Sequence, residues 1–312
     1  MDQITNPQSC RSVSSCSALE SQRPAFPSFA ETATEAAPKP CRGPSCRQVA
    51  LAQRPSRISA SATAEADGAH GQKDVFRVGH LRAYLPGYRT DHTQKTMART
   101  HNFSEIDVLN CILPLLPEHS VVLDIGANIG NHSLFFGSQK KVDRVIAFEP
   151  IASVCEILRK NLELNDLLGK VEIKSFALSD EDGKMAIAFF DPKHTGSTAL
   201  RNAKDGTIEA RKLDSIAGEL ALDRIDFVKL DVEGSESFVL AGARRTFEKF
   251  HPLYVQVEIH EVHPIKSLRN QFPNGDAIRS TLAGMGYELE KKFPDGRNYL
   301  YKRTDSDKGA EA

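Results

Sequence analysis

The stretch VVLDIGANIGNHSLFFGSQKKVDRVIAFEP, Val121 to Pro150, reads as a strand, a tight glycine turn, a helix and a second strand ending in a carboxylate. Val121, Val122, Leu123 and Ile125 form the apolar run of a strand buried on both faces, and Ala127 to Phe136 carries a helix-like pattern. Together they make the first half of a nucleotide-binding α/β unit. The turn is D-x-G-x-x-x-G, with Gly126 and Gly130 flanking Asn128. It lacks the middle glycine of the G-x-G-x-x-G pattern that a dinucleotide pyrophosphate needs. Asp124, at the carboxyl end of the first strand, would repel a diphosphate but suits a ligand with an ammonium and a sulfonium nearby. Glu149 ends the strand RVIAFEP, placed to accept hydrogen bonds from two ribose hydroxyls. S-adenosylmethionine meets both demands.

A second chemical stretch is DFVKLDVEGSE, Asp226 to Glu236. Its buried strand, with Phe227, Val228 and Leu230, delivers Asp231 and Glu233 to the same carboxyl edge as Asp124 and Glu149, where open parallel sheets bind ligands. Alternation by two sets Lys229, Asp231 and Glu233 on one side of the strand. Ionisable residues there are costly unless paired or functional. Asp231 and Glu233 are therefore candidate acid/base residues; the bland alternative is a Lys229–Asp231 pair with Glu233 in the first turn of the next helix. In the fifth strand, LYVQVEIHEVH (Leu253 to His263), Glu258 and His260 stand where the chain leaves the sheet. His260 is the third candidate, either a base for an acceptor hydroxyl or a polar cap on a strand end.

Other elements follow from periodicity and turn signals. VFRVGHLRAYLP is a strand or small hairpin. A helix is predicted from Ser104 as N-cap, with Ile106, Leu109, Ile112, Leu113 and Leu116 on one face before Pro117 stops it. Phe103 and Glu105 would lie near the cofactor's mouth, Glu105 as a contact or simply as a favourable first-turn charge. Ser153 and Glu156 have capping-box spacing at the start of a helix from Ile151 to Leu164. Val171 to Ala177 is the third strand, and the loop after it makes Ala177 and Leu178 candidates against the adenine; Asp180 is a further candidate or a turn residue in SDEDG. KMAIAFFD and TIEARKLD are two strands joined by a long polar loop, a natural lid or acceptor-binding element with His194, Gly196 and Ser197 as candidates. One helix is expected over Ser235 to Phe250, another around Gly275 to Met285, and YELEKKF with NYLYKR closes the domain as an antiparallel hairpin.

Among the 312 residues, 40% are hydrophobic and 26% charged, with a formal net charge of −1. No dense basic run appears, so neither nucleic acid nor an anionic membrane is an expected partner. No apolar span approaches the ~20 residues that cross a bilayer. The six cysteines show no metal-ligand spacing, and no metal site or disulfide framework is indicated; Cys111 and Cys155 read as small buried hydrophobes. Residues 1–72 are Ser/Ala/Pro-rich and are expected to form a disordered tail, with a targeting peptide as the alternative. The folded domain is expected over 73–303, with 73–118 as an N-terminal cap region and 304–312 frayed. A cytoplasmic location is the default expectation.

VVLDIGANIGNHSLFF, VIAFEP, SFALSDEDG and DFVKLDVEGSESFVLAGA followed by VQVEIHE together resemble the FkbM family of S-adenosylmethionine-dependent methyltransferases, from about Phe103 to Arg303. The resemblance implies a class I methyltransferase (Rossmann-like) α/β fold: a doubly wound, mostly parallel seven-stranded sheet with an antiparallel last strand. It makes Asp124, Gly126, Asn128, Gly130 and Glu149 cofactor-binding positions. Asn131 and His132 depart from the family, which often has an aromatic after the glycine turn. The implied activity is methyl transfer to a hydroxyl of a sugar or natural product. A base is then needed at the acceptor, and Asp231, Glu233 and His260 are the residues to test; a carboxylate-bound divalent cation is an alternative. A nicotinamide-dependent oxidoreductase and a non-catalytic binding module are the rivals.

Overall fold

The computed structural model describes residues 73–191, 196–261 and 275–304. The expected N-terminal tail over 1–72, His194 and the last residues from 305 onward lie outside the described residues.

The described chain opens with a hairpin, β1 (Val75–Val78) and β2 (Leu81–Tyr84), and then α1 (His92–Thr100). Asp91 caps α1 by accepting from Gln94 N–H. The sequence pattern carries no sign of this helix, because only Gln94 and Met97 in it are buried. Next come α2 (Ile106–Ile112) with a 3-10 turn (Leu113–Leu115), β3 (Ser120–Ile125), α3 (Asn131–Gly137), β4 (Val142–Phe148) and α4 (Ala152–Glu163). β5 (Val171–Lys174), β6 (Ala177–Leu178), β7 (Gly183–Phe189), β8 (Ala199–Asn202), β9 (Ile208–Arg211) and α5 (Leu213–Ile216) follow. β10 (Phe227–Leu230), α6 (Glu236–Ala241), α7 (Arg244–Phe250), β11 (Tyr254–Glu258), α8 (Gly275–Gly284), β12 (Tyr287–Lys292) and β13 (Asn298–Arg303) complete it.

The main sheet has seven strands in the order β12-β13-β11-β10-β3-β4-β5. Neighbours from β5 to β11 run parallel, and β13 is antiparallel to both β11 and β12. This is the doubly wound sheet with an antiparallel last strand that the family resemblance implies. All six residues of β3 are buried, Val121, Val122, Leu123 and Ile125 together with the polar Ser120 and Asp124. Alternate residues feed two apolar clusters: Val122, Val145 and Phe227 pack with Leu134, Phe136 and Leu158 on one face, while Leu123, Val228 and Val257 pack with Val239 and Phe247 on the other. Burying each such side chain contributes about 1.5–3 kcal/mol.

Several local expectations are corrected. Ser104 does not cap α2: its backbone is clasped by the Asn131 side chain at 2.9 Å in both directions, and Glu105, in the left-handed region at φ 56°, precedes the helix. The Ser153–Glu156 capping box is absent; the Glu149 carboxylate accepts from Ile151 N–H at 2.9 Å at this helix start. The third strand ends at Lys174, and Ala177–Leu178 joins a separate four-stranded sheet, β6-β9-β7-β8. Part of the polar loop is therefore a strand, β8. The single helix over Ser235 to Phe250 is broken at Gly242, where an added Cβ would sit 2.0 Å from the Ser179 carbonyl oxygen. The fifth strand ends at Glu258, short of His260.

Candidate active site

Chain order reverses between β3 and β10, leading to β4 and β5 on one side and to β11 on the other. The crevice at the carboxyl ends of such strands is where doubly wound sheets bind ligands. A cleft of about 410 Å³ opens there. Its floor is the glycine turn. Gly126 has φ +78°, and a Cβ on it would lie 1.8 Å from the Asp231 carbonyl oxygen, so the turn after β3 and the end of β10 touch backbone to backbone. Gly130, at φ +92°, leads into α3; a Cβ there would meet Leu158 at 2.4 Å.

At one end of the cleft stands Glu149, just past β4 and 7% exposed. Its two oxygens accept from Asn128 N–H at 3.0 Å and Ile151 N–H at 2.9 Å, which fixes the carboxylate plane and leaves the outer lone pairs to the cleft. Burial pushes this carboxyl up to about 7, against the pull of those two donors. Asn128, at φ 50°, presents a side-chain oxygen with no hydrogen-bond partner among the described residues. Phe148, Phe176, Leu178, Met185 and Leu200 make an apolar wall beyond it, with Ala177 beside them. Gly196, Ser197 and Thr198 close over the turn, near enough that a Cβ on Gly196 would be 2.9 Å from Asn128 Nδ2.

At the other end Asp231, Glu233 and Glu258 gather, each with an oxygen within 4.8 Å of the others. Such a group could hold a divalent cation or share protons. Burial works to raise Asp231, but the ammonium of Lys229, 3.4 Å away, holds it below the ordinary carboxylate range. Glu258 goes the other way, to about 7, through burial and the nearby Asp231 charge. Glu233 is also raised, by burial and then by Asp231 and Glu258. It sits in the left-handed region at φ 55°, and the loop carrying it is tied down by Glu236, whose Oε1 accepts from Val232 N–H at 3.0 Å and Gly234 N–H at 3.1 Å. His260 stands behind Glu258, Nε2 to Oε2 3.3 Å, and that partner raises it; Arg297 approaches the other Glu258 oxygen at 3.1 Å.

Gly126, Asn128, Glu149, Ala177, Leu178, Asp231 and Glu233 thus line one cleft. Asp124 is fully enclosed beneath it, accepting from Ser133 Oγ at 2.6 Å and facing Lys229 Nζ at 3.6 Å; Gly130 likewise supports the turn from behind. Asp180 lies in the β6–β7 turn beside Ser179 Oγ, and Phe103 is buried against Phe135, its ring 5.3 Å away. Glu105 lines the cleft, accepts from Asn298 Nδ2 at 2.7 Å and stands 3.7 Å from His132 Nε2. Glu258 and His132 also line the cleft, without having been marked as candidates by the sequence. The alternation of 256, 258 and 260 marks a polar side of the strand but not which residue is the last inside the sheet.

The methyltransferase FkbM domain description matches residues 124–289, more than half of the chain. Over 171 residues the chain is 31% identical to AMB antimetabolite synthetase AmbE of Pseudomonas aeruginosa, covering 41% of this chain and 8% of that one. It is 27% identical to 2-O-methyltransferase NoeI of Sinorhizobium fredii over 62% of this chain and 83% of NoeI. The crystal structure of methyltransferase FkbM from Methylobacillus flagellatus KT aligns with a TM-score of 0.39 at 20% identity, over 69% of this chain and 47% of that chain. The chain spans less than two thirds of several of its curated relatives, between 8% and 61% of their length. Among the described residues no helix is long and apolar enough to cross a membrane.

Proposed function

The chain belongs to the methyltransferase FkbM domain family, a family of S-adenosylmethionine-dependent enzymes, and on that premise we propose that it transfers a methyl group to a hydroxyl oxygen of a sugar or small natural product. One observation carries the reading: a ribose-type carboxylate, Glu149, and the acidic group Asp231, Glu233 and Glu258 line the same cleft. The residues present fit S-adenosylmethionine. Glu149 has outer lone pairs for a diol, the unpartnered Asn128 oxygen accepts a donor, and the Phe148, Phe176, Leu178, Met185 and Leu200 wall suits a flat base. Glu105 supplies a negative charge for an ammonium.

When bound, the cofactor supplies an electrophilic methyl on a sulfonium. The chain's own part is alignment, exclusion of water and removal of one proton. A sugar hydroxyl is a poor nucleophile until that proton leaves. Asp231, kept ionised by Lys229, orients the acceptor by accepting a hydrogen bond from a neighbouring hydroxyl, which leaves the reacting hydroxyl's proton to Glu258. Glu258, pushed up to about 7, has the basicity to take the proton near neutral pH, and His260 at 3.3 Å leads it onward. Burial and the neighbouring Asp231 and Glu258 carboxylates raise Glu233, which favours its protonated form beside them. The name of NoeI describes the same class of chemistry on a hydroxyl.

A second reading has a divalent cation on Asp231, Glu233 and Glu258, favoured by their mutual spacing. Lys229, Arg297 and His260 already compensate these carboxylates, which favours shared protons instead. The deciding experiment incubates the chain with S-adenosylmethionine carrying a deuterated methyl and a panel of neutral sugars and polyols, with and without a chelator. A deuterated methyl ether formed equally in both supports proton sharing; loss with chelator supports the cation. Product formed unchanged by Glu258→Gln would remove Glu258 from the mechanism.

A further inference from the structure

Lys229 is 3% exposed, yet it bears a charge on a central strand. In the parallel ladder it stands opposite Asp124 of β3 and opposite Gln256 of β11, so all three project to the same face of the sheet. Its stem runs toward the carboxyl edge. There Nζ donates to the Gly126 carbonyl at 2.5 Å and lies 3.4 Å from the Ile125 carbonyl. The same nitrogen is 3.6 Å from Asp124 Oδ1 and 3.4 Å from Asp231 Oδ2. One ammonium therefore contacts the first glycine of the cofactor turn, the carboxylate beneath that turn and the carboxylate at the acceptor end.

From this geometry we infer that Lys229 is a positioning residue whose ammonium ties the Gly126 carbonyl to the Asp231 carboxylate, so that the donor's seat and the acceptor's anchor hold one spacing. The inference rests on the methyl-transfer reading of the same cleft. A buried ion pair of this kind contributes little stability beyond what apolar residues of equal volume would give, so its effect is on where its partners sit. Gly126 and Asp231 already meet through backbone, with no room for a Cβ between them. Lys229 locks the same junction through the side chains. Arginine does not replace it: the carbonyl and the two carboxylates surround a point, which suits a compact ammonium and not a planar fork.

The charge around Asp231 comes from every side. Lys229 and Asp124 face it from the sheet, and His132 from α3. Glu258 with His260 behind it closes the β11 side, with Arg297 on Glu258. Glu233 and Glu236 come from its own loop, and Glu105 adds a more distant negative charge from the start of α2. Apart from His132 and His260, Lys229 and Arg297 are the cations of this set, and among the described residues Lys229 is the one within salt-bridge distance of Asp231.

The test uses Lys229→Met, of similar length without the charge, and Lys229→Met/Asp124→Asn, which removes one carboxylate left without its cation. Two probes are titrated from pH 5 to 9: S-adenosylhomocysteine, and sinefungin, which carries a protonated amine where the methylsulfonium stands. Their affinity ratio reports negative charge at the methyl position. In wild type the ratio falls as pH drops through about 7, where Glu258, which feels the Lys229 charge, takes up a proton beside Asp231. In both variants that fall is expected to move up by about one pH unit or more, the usual effect of losing a cation at this range. S-adenosylhomocysteine affinity should drop at least tenfold as the turn loosens. A melting temperature alone does not distinguish the roles, since a merely structural lysine would lower it too. Superimposable ratio curves in wild type and folded variant would overturn the inference, as would failure of both variants to fold, which would make the lysine structural. If wild type binds neither probe, it is the cofactor reading that fails.

Discussion

Replacing Glu149 by glutamine removes one charge and leaves the shape of the cleft. The wild-type carboxylate accepts from two backbone donors, Asn128 N–H on one oxygen and Ile151 N–H on the other. An amide has one oxygen, so in either orientation its NH2 faces one of those N–H groups and leaves a buried donor unsatisfied, at a cost of about 1–3 kcal/mol. Toward the ligand, two hydrogen bonds from ribose hydroxyls lose their charge assistance. A hydrogen bond to a charged group contributes about 1.5–3 kcal/mol and a neutral one about 0.5–1.5, a loss of about 1–1.5 per bond, so the net loss over the two is about 2–3 kcal/mol. The dissociation constant for S-adenosylmethionine should rise roughly 30- to 150-fold. Equilibrium dialysis with radiolabelled cofactor reads this directly, with circular dichroism confirming the fold. The pH dependence supplies a second readout. Burial puts Glu149 at about 7 in the free protein, and hydroxyl donors favour its ionised form, so affinity should fall as pH drops through 7, by up to about tenfold per unit. In Glu149→Gln that part of the slope should vanish. The stability of the free protein carries the opposite sign. A carboxyl raised from 4.5 holds a proton in the folded chain that the unfolded chain has released, so stability declines as pH rises from 4.5 to about 7. Unchanged affinity in Glu149→Gln, with an unchanged slope, would refute the assignment of this carboxylate to the ribose.

Gly126→Ala should lower cofactor affinity at least tenfold and the melting temperature by several degrees, because the left-handed conformation costs a side chain about 1–2 kcal/mol and the new Cβ meets the Asp231 carbonyl oxygen at 1.8 Å; calorimetry and thermal denaturation read the two effects. Glu258→Gln should cut methyl transfer by about 10²–10⁴-fold while cofactor affinity stays within a few fold, a split that product quantification beside equilibrium dialysis would reveal. In wild type the transfer rate should fall on the acid side of about 7, where Glu258 takes up its own proton; a rate that is flat across that range would take Glu258 off the proton path. Chelator treatment should leave the rate unaltered.

Where sequence and structure agree, the physics is local. The apolar residues Val121, Val122, Leu123 and Ile125 need burial on both faces whatever surrounds them, and the turn after them takes the left-handed conformation that its glycines Gly126 and Gly130 allow. Asp231 and Glu233 are legible because carboxylates at the end of a buried strand are costly unless they are paired or put to use. The misses come from contacts distant in sequence. Nothing near Ser104 says that Asn131 will clasp its backbone, and nothing near Gly242 announces the Ser179 carbonyl that forbids a side chain there. β8 is a four-residue strand with two exposed positions, too short to show a period inside a polar loop. Glu258 yields to His260 in the sequence because the end of a strand is set by its partner, here the turn at Arg297, whose carbonyl accepts from Ile259 N–H at 2.9 Å.

The most direct measurement is a calorimetric titration of the wild-type protein with S-adenosylhomocysteine and, separately, with NAD. Saturable one-site binding of the first and no heat from the second is the result expected of a cleft that joins Glu149 to the Asp231 group. Binding of NAD instead, or no binding of either, would contradict it.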